Sequence, residues 1–161
     1  MSFGVYNRTL PLFHEPDQEL YNRALDAAAN GKLAHLQANQ HEWKEFSTDV
    51  IDVAALHGKL HILQWCYSKG LFHLHDERTI LTLSNAAQEG HLDILRWAKA
   101  HGAKISYLTI SSAAATGEIK ILDWARNENI QFDVQFVKNA AITCKQSKAQ
   151  AWLQKYYPAK A

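Results

Sequence analysis

The sequence predicts an all-α fold, a solenoid of about five stacked helix-turn-helix repeats. Two observations predict it. One template recurs along the chain, with two alanines, a glycine four residues after the first, then apolar positions and a tryptophan. Residues that favour helix N-caps also recur at a fixed distance before that glycine. The composition agrees, because 161 residues with only seven Gly and three Pro suit neither linkers nor a turn-rich sandwich.

The template sets the length of the repeat. Residues 54–65, 86–97 and 113–124 fill every position, while residues 27–36 form an incomplete copy that lacks the tryptophan. A last copy begins at Ala140. The turn positions are Gly31, Gly58, Gly90, Gly117 and, in place of glycine, Cys144. Their spacing indicates a period of 27 residues, with a five-residue insertion near residues 71–78.

Each repeat is predicted to contain two short helices that flank the glycine. The expected N-caps are Ser47, Thr79, Ser106 and Asp133. We expect the alanines to let helices approach closely and the glycine to supply a positive-φ turn. The tryptophans Trp65, Trp97 and Trp124 are interpreted as core packing between repeats, since one hairpin cannot bury its apolar face alone.

The repeats divide the chain into one domain with two flanking segments. Residues 20–155 form the repeat domain, and its units span about 20–46, 47–78, 79–105, 106–132 and 133–155. Residues 1–19 are predicted to be an N-terminal arm over the first unit, in which Asp17 caps the first helix, and residues 156–161 a C-terminal tail.

The chain shows no membrane or secretion pattern. Its apolar runs fall far below the ~20 residues that cross a bilayer, and its first residues lack the layout of a secretory signal. Two cysteines, Cys66 and Cys144, favour a reducing compartment, with a single structural disulfide as the alternative. A cytoplasmic protein without membrane association is expected.

Two segments carry a resemblance to a known family. Residues 90–103 (Gly-His-Leu-Asp-Ile-Leu-Arg-Trp-Ala-Lys-Ala-His-Gly-Ala) resemble the second helix and terminal Gly-Ala of the ankyrin repeat, and residues 81–90 resemble its first helix. The similarity is greatest to short, tryptophan-containing variants found in giant viruses, protists and intracellular bacteria. Since typical units have ~33 residues, the resemblance implies shortened β-turn fingers. Only the insert at residues 71–78 has the length of a finger.

The resemblance implies a non-catalytic protein–protein interaction module. It would be a monomeric adaptor, inhibitor or host-directed effector in the cytoplasm of the producing cell or of a host, and its partner another protein on the concave helical face. The implied contact positions precede each turn residue: Leu56, His57, Gln88, Glu89, Ala115, Thr116, Ile142 and Thr143. The insert adds a second patch, formed by Leu71, Phe72, His73, Leu74 and His75. For the apolar members, ordinary packing against a neighbouring unit is the alternative.

The sequence contains no recognisable catalytic or metal motif. The histidines lack a zinc-site spacing, and neither a phosphate-binding loop nor a nucleophile elbow occurs. No catalytic residue, cofactor or metal ligand is therefore predicted. The rival hypothesis is an enzyme with a histidine-based, optionally metal-dependent site near residues 71–78, which would also use His57 and His61. The formal net charge of +1 disfavours nucleic acid as a partner, although residues 138–161 carry five lysines and no acid.

Overall fold

The structure, a computed structural model, describes residues 18–158, and in this range every regular element is a helix. The longer helices follow one another in pairs, which we call units one to five, each with a first and a second helix. The pairs are α1 (Gln18–Ala29) with α2 (Leu33–Ala38), α4 (Ser47–Leu56) with α5 (Leu60–Ser68), α6 (Arg78–Gln88) with α7 (Leu92–Ala100), α8 (Tyr107–Thr116) with α9 (Ile119–Asn127), and α10 (Val134–Thr143) with α11 (Ser147–Tyr156). Helix α3 (Gln40–Trp43) and a 3-10 turn at Lys44–Phe46 lie between units one and two. The all-α prediction is confirmed.

The ends of the chain fall largely outside the described residues. The proposed arm and its cap Asp17 lie outside this range, as do residues 159–161. Gln18 and Glu19, which the sequence assigns to the arm, begin α1 instead. The short elements between residues 40 and 46 have no counterpart in the repeat template, and they bury Trp43, whose indole Nε1 donates a hydrogen bond to the Leu36 carbonyl at 2.9 Å.

The first helices pack in series. Helix α1 contacts α4, α4 contacts α6, α6 contacts α8, and α8 contacts α10. The alanine pairs of the three complete template copies are fully buried: Ala54, Ala55, Ala86, Ala87, Ala113 and Ala114. A larger side chain at these positions would push neighbouring helices apart, because interiors are packed without spare volume. The alanines therefore set the close spacing of the units.

Two constraints favour glycine at the turns of units two to four. Gly58 has φ +68°, a region that side chains with a Cβ avoid, and the amide of Lys59 donates to the Ala54 carbonyl at 2.8 Å to close the helix end. A Cβ on Gly58 would also lie 2.6 Å from the imidazole of His91 in the next unit. The same arrangement recurs where Glu118 covers Gly90. The turn glycines thus also permit contact between units.

The last unit departs from the template by one residue. Cys144 has φ −86°, and the left-handed position is taken by Lys145, with φ +55°. The Gln146 amide closes the turn on the carbonyl of Ala141, the second alanine of its pair, at 2.9 Å, whereas units two to four close on the first alanine. The expectation that Cys144 replaces the turn glycine is therefore wrong.

Two of the four predicted caps are confirmed. Ser106 Oγ accepts from the Thr109 amide at 3.3 Å, and Asp133 Oδ1 accepts from the Phe136 amide at 3.0 Å. Ser47 and Thr79 do not cap, because the longer connections before α4 and α6 enter each helix through a turn, without the extended residue that an N-cap needs.

Candidate interaction surface

Most of the large apolar side chains that are exposed lie on first helices. Of the six in residues 18–158, five belong to α6, α8 or α10, and the sixth is Tyr67 on α5. The five are Leu81 (57% exposed), Tyr107 (45%), Leu108 (36%), Phe136 (43%) and Ile142 (59%). We call this set the first-helix face. The second helices instead expose mainly charged and polar side chains, such as Arg96, Lys120 and Asp123.

Repeat geometry links the members of this face. Leu81 and Leu108 stand nine residues before Gly90 and Gly117, so they occupy equivalent positions on two helices that pack together. Across the next boundary, the rings of Tyr107 and Phe136 meet edge to face with centroids 5.0 Å apart. The apolar residues therefore extend over units three to five. Among the five, Ile142 is a position that the family resemblance implies. The other four were not predicted, although Leu81 and Leu108 share the same offset from their turn glycines in the sequence.

The eight positions implied by the family resemblance lie at the C-terminal ends of the first helices. Six are exposed: His57, Gln88, Glu89, Thr116, Ile142 and Thr143. Leu56 and Ala115 are half-buried. The Thr116 hydroxyl donates to the Ser112 carbonyl of its own helix at 3.1 Å, so it is engaged locally. Only Ile142 belongs to both this group and the first-helix face.

The insert does not form the exposed apolar patch that the sequence predicts. Phe72 (6% exposed) and Leu74 (3%) are buried, and the Phe72 ring stacks on Trp97 with centroids 6.4 Å apart. No strand forms in residues 71–77, so this segment is a folded connection rather than a β-turn finger. The expectation for Phe72 is wrong because its partner, Trp97, belongs to the following unit and supplies an apolar surface.

The predicted tryptophans differ in burial. Trp124 is 5% exposed, while Trp65 and Trp97 are half-buried and pack against the core. Trp152, which the sequence analysis left unassigned, is buried, and its indole Nε1 donates to Asp123 Oδ1 at 2.6 Å. This hydrogen bond ties the last second helix to the one before it.

The histidines of the insert face different surroundings. His73 lines a small depression with Asp52 and Arg78, while the His75 ring lies against Gly102. The residue between them, Leu74, is buried. His57 lies at the end of α4. Among residues 18–158 no three His, Cys, Asp or Glu side chains come together in a group that could hold a metal.

Two other histidines join successive units. His61 Nε2 donates to the Gly31 carbonyl at 3.1 Å, and His91 Nε2 donates to the Leu56 carbonyl at 2.9 Å. Each ring therefore completes the hydrogen bonding of the turn in the unit before it. These contacts give His61 and His91 structural roles in the stack.

A groove lies where the first helices of units three to five begin. It has a volume of about 730 Å³ and is lined by residues 74–77 of the insert, by the start of α6, and by the connections at residues 104–107 and 131–133. We call it the loop groove. Its floor and walls are mainly apolar, whereas its acidic members are exposed at the rim.

The two cysteines differ in chemistry. Both are free thiols; Cys66 is buried and Cys144 is exposed. Burial raises the pKa of Cys66 to about 12, so its thiol stays protonated at neutral pH.

No helix in the described range has both the length and the apolar content needed to cross a bilayer.

Comparison of the chain with protein-family models, with curated proteins and with solved structures found no match. The resemblance to ankyrin repeats therefore rests on the motifs at residues 81–103 and their recurrence along the chain.

Proposed function

We propose that this protein is a non-catalytic protein–protein interaction module that binds its partner on the first-helix face. In this proposal the five units form an ankyrin-like solenoid whose first helices line the concave side. One observation carries the proposal: five of the six exposed large apolar side chains in residues 18–158 lie on the first helices of three successive units. Adaptor, inhibitor and host-directed effector are three forms of this function that differ in the partner.

Recurrence on three successive first helices, with one ring contact between units, distinguishes this face from ordinary surface. Single exposed apolar residues are common on soluble proteins, whereas clusters of exposed apolar residues mark interaction sites. Tyr107 and Phe136 form one aromatic pair across α8 and α10, and aromatic side chains are the residue type that most often anchors interfaces. The opposite side also carries an aromatic pair between units, Tyr67 and Trp97, but within residues 18–158 Tyr67 is its one exposed large apolar side chain.

The test uses one double variant and one matched control. Leu81→Asp with Ile142→Asp places charges at the two most exposed members of the face, where neither side chain is needed for the core. The control is Tyr67→Ser, which removes the exposed large apolar side chain of a second helix. Tagged proteins would capture partners from lysates of the producing cell and of a candidate host cell.

The proposal predicts that the double variant loses the captured partners while Tyr67→Ser retains them. Circular dichroism would verify that both variants are folded. Retention of every partner by the folded double variant would overturn the assignment of the face.

A further inference from the structure

We propose that the loop groove docks a partner segment in which a large apolar side chain is flanked by Lys or Arg. The inference rests on the proposed function and deepens it, because it assigns a chemistry to the part of the partner that lies beside the first-helix face. Three features of the groove carry it: an apolar interior, an acidic rim and a fixed wall.

The interior fits an apolar side chain. Leu74 and Ile105 are buried beneath the groove, Ile80 and Phe132 are half-buried in its lining, and Tyr107 is 45% exposed. A volume of about 730 Å³ lies within the range of pockets that enclose small ligands. Tyr107 also contacts Phe136, so the groove continues into the first-helix face.

The rim favours a cation. Asp76, Glu77 and Asp133 line the groove against a single cationic side chain, Lys104. Within residues 18–158 none of these three carboxylates takes part in an ion pair. Because the whole chain is close to neutral, this local excess of carboxylates is a departure from the average surface. Opposite charge in a partner would steer its approach and fix its register.

The wall formed by the insert is held in place. The Thr79 hydroxyl donates to the His73 carbonyl at 2.7 Å, and Arg78 lies 3.5 Å from an Asp52 carboxylate oxygen of unit two. Burial of Leu74 fixes the same segment from below. A groove whose walls are already fixed loses less conformational entropy on binding than one that must order on contact.

The test uses three synthetic peptides of equal length. One carries Leu-Phe flanked on both sides by Lys-Arg, one carries Leu-Phe flanked by Glu-Asp, and one carries Gly-Ser flanked by Lys-Arg. Each is titrated into the ¹⁵N-labelled protein while amide chemical shifts are followed. The first peptide is expected to give saturable shifts at residues 74–77, 104–107 and 131–133, with Kd below about 1 mM, and the other two much weaker shifts.

A protein variant tests the rim independently. Asp76→Asn with Glu77→Gln and Asp133→Asn removes the charges and keeps the cap of α10, since Asn caps as well as Asp. We expect this variant to bind the first peptide with roughly five- to tenfold lower affinity. The control Glu45→Gln removes an exposed acid that does not line the groove, and we expect it to change nothing.

Four results would overturn the inference. They are equal binding of the acidic peptide, equal binding of the Gly-Ser peptide, shifts elsewhere on the protein, and no loss of affinity in the rim variant. Failure here is distinguishable from failure of the proposed function. If the rim variant keeps every captured partner while Leu81→Asp with Ile142→Asp loses them, the groove assignment falls and the first-helix face stands.

Discussion

The two sides of the stack use their side chains differently. On the second-helix side, side chains reach the neighbouring unit: Trp152 donates to Asp123, Lys99 pairs with Glu128 at 2.8 Å, and Tyr67 packs edge to face on Trp97. On the first-helix side, Leu81 and its neighbours remain exposed although their helices pack tightly beneath them. The first helices also join the units, since they pack on one another and Thr82 donates to Asp52 of the preceding unit at 2.6 Å. The contrast therefore concerns the outer side chains, and in the proposed function it is the exposed ones of the first helices that would bind a partner.

The largest expected effect on stability is at Trp97. Its ring contacts Phe72 of the insert, Tyr67 of the preceding unit and His101 of its own. Trp97→Ala is expected to lower the free energy of unfolding by about 2–4 kcal/mol, somewhat less than for a fully buried ring. Urea denaturation would measure the change, with Trp97→Phe as the conservative control. An unchanged unfolding midpoint would show that the ring contacts of Trp97 add no net stability to the fold.

Substitution of a turn glycine in the middle units should have the next largest effect on the free energy of unfolding. Gly58→Ala places a Cβ in the left-handed region and 2.6 Å from the His91 ring, so we expect a loss of roughly 2–3 kcal/mol. Because His91→Ala by itself removes the hydrogen bond to the Leu56 carbonyl, Gly58→Ala is also measured in the His91→Ala background, where its cost should fall to the backbone strain alone. If Gly58→Ala costs as much in that background as in the wild type, then contact with His91 is not what requires glycine here.

In the last unit, a substitution to glycine should stabilise the protein. Lys145 occupies a left-handed conformation that favours glycine, so Lys145→Gly should stabilise the protein by about 0.5–1 kcal/mol, with thermal unfolding as the measurement. The same substitution at Cys144, where φ is −86°, should bring no gain and serves as the control. A gain at Cys144 instead of Lys145 would contradict the one-residue shift.

The smallest effect should come from an exposed ion pair. The hydrogen bond from Lys99, reinforced by its charge, holds the pKa of Glu128 below its usual value of 4.5. Because the folded-state pKa is the lower one, the pair's stabilisation is present above the unfolded pKa and is lost as pH falls through the folded pKa. Glu128→Gln should therefore have a slightly lower unfolding temperature than the wild type at about pH 6, and this difference should shrink as pH falls and Glu128 becomes protonated. A difference in unfolding between variant and wild type that persists at acid pH would show that the effect does not come from this ion pair.

The sequence predicts the features that recur in every unit, and few of the features that occur in one unit alone. The period predicts the helix pairs, and alanine pairs such as Ala86 and Ala87 are buried in every complete copy. The insert has no equivalent in the other units, so nothing local in the sequence could indicate that Phe72 packs on Trp97, a residue 25 positions away. The shift to Lys145 was equally hidden, because the sequence does not say which alanine carbonyl closes the turn.

The candidate surface was predicted only in part. Family resemblance indicates the C-terminal ends of the first helices, whereas the exposed apolar residues concentrate nearer the N-terminal ends, at Leu81, Tyr107 and Leu108. Apolar residues in a helix are first expected to be core, as Leu83 is. Which leucine of α6 faces outward depends on how α4 and α8 flank it, and that is a property of the assembled stack.

The central claim is that a partner covers the first-helix face. Hydroxyl-radical footprinting of the protein alone and with its captured partner tests this most directly, because the method reports side-chain exposure residue by residue. The account predicts reduced labelling at Leu81, Tyr107, Phe136 and Ile142, with unchanged labelling at Tyr67. Protection of Tyr67 with full labelling of the other four would contradict it.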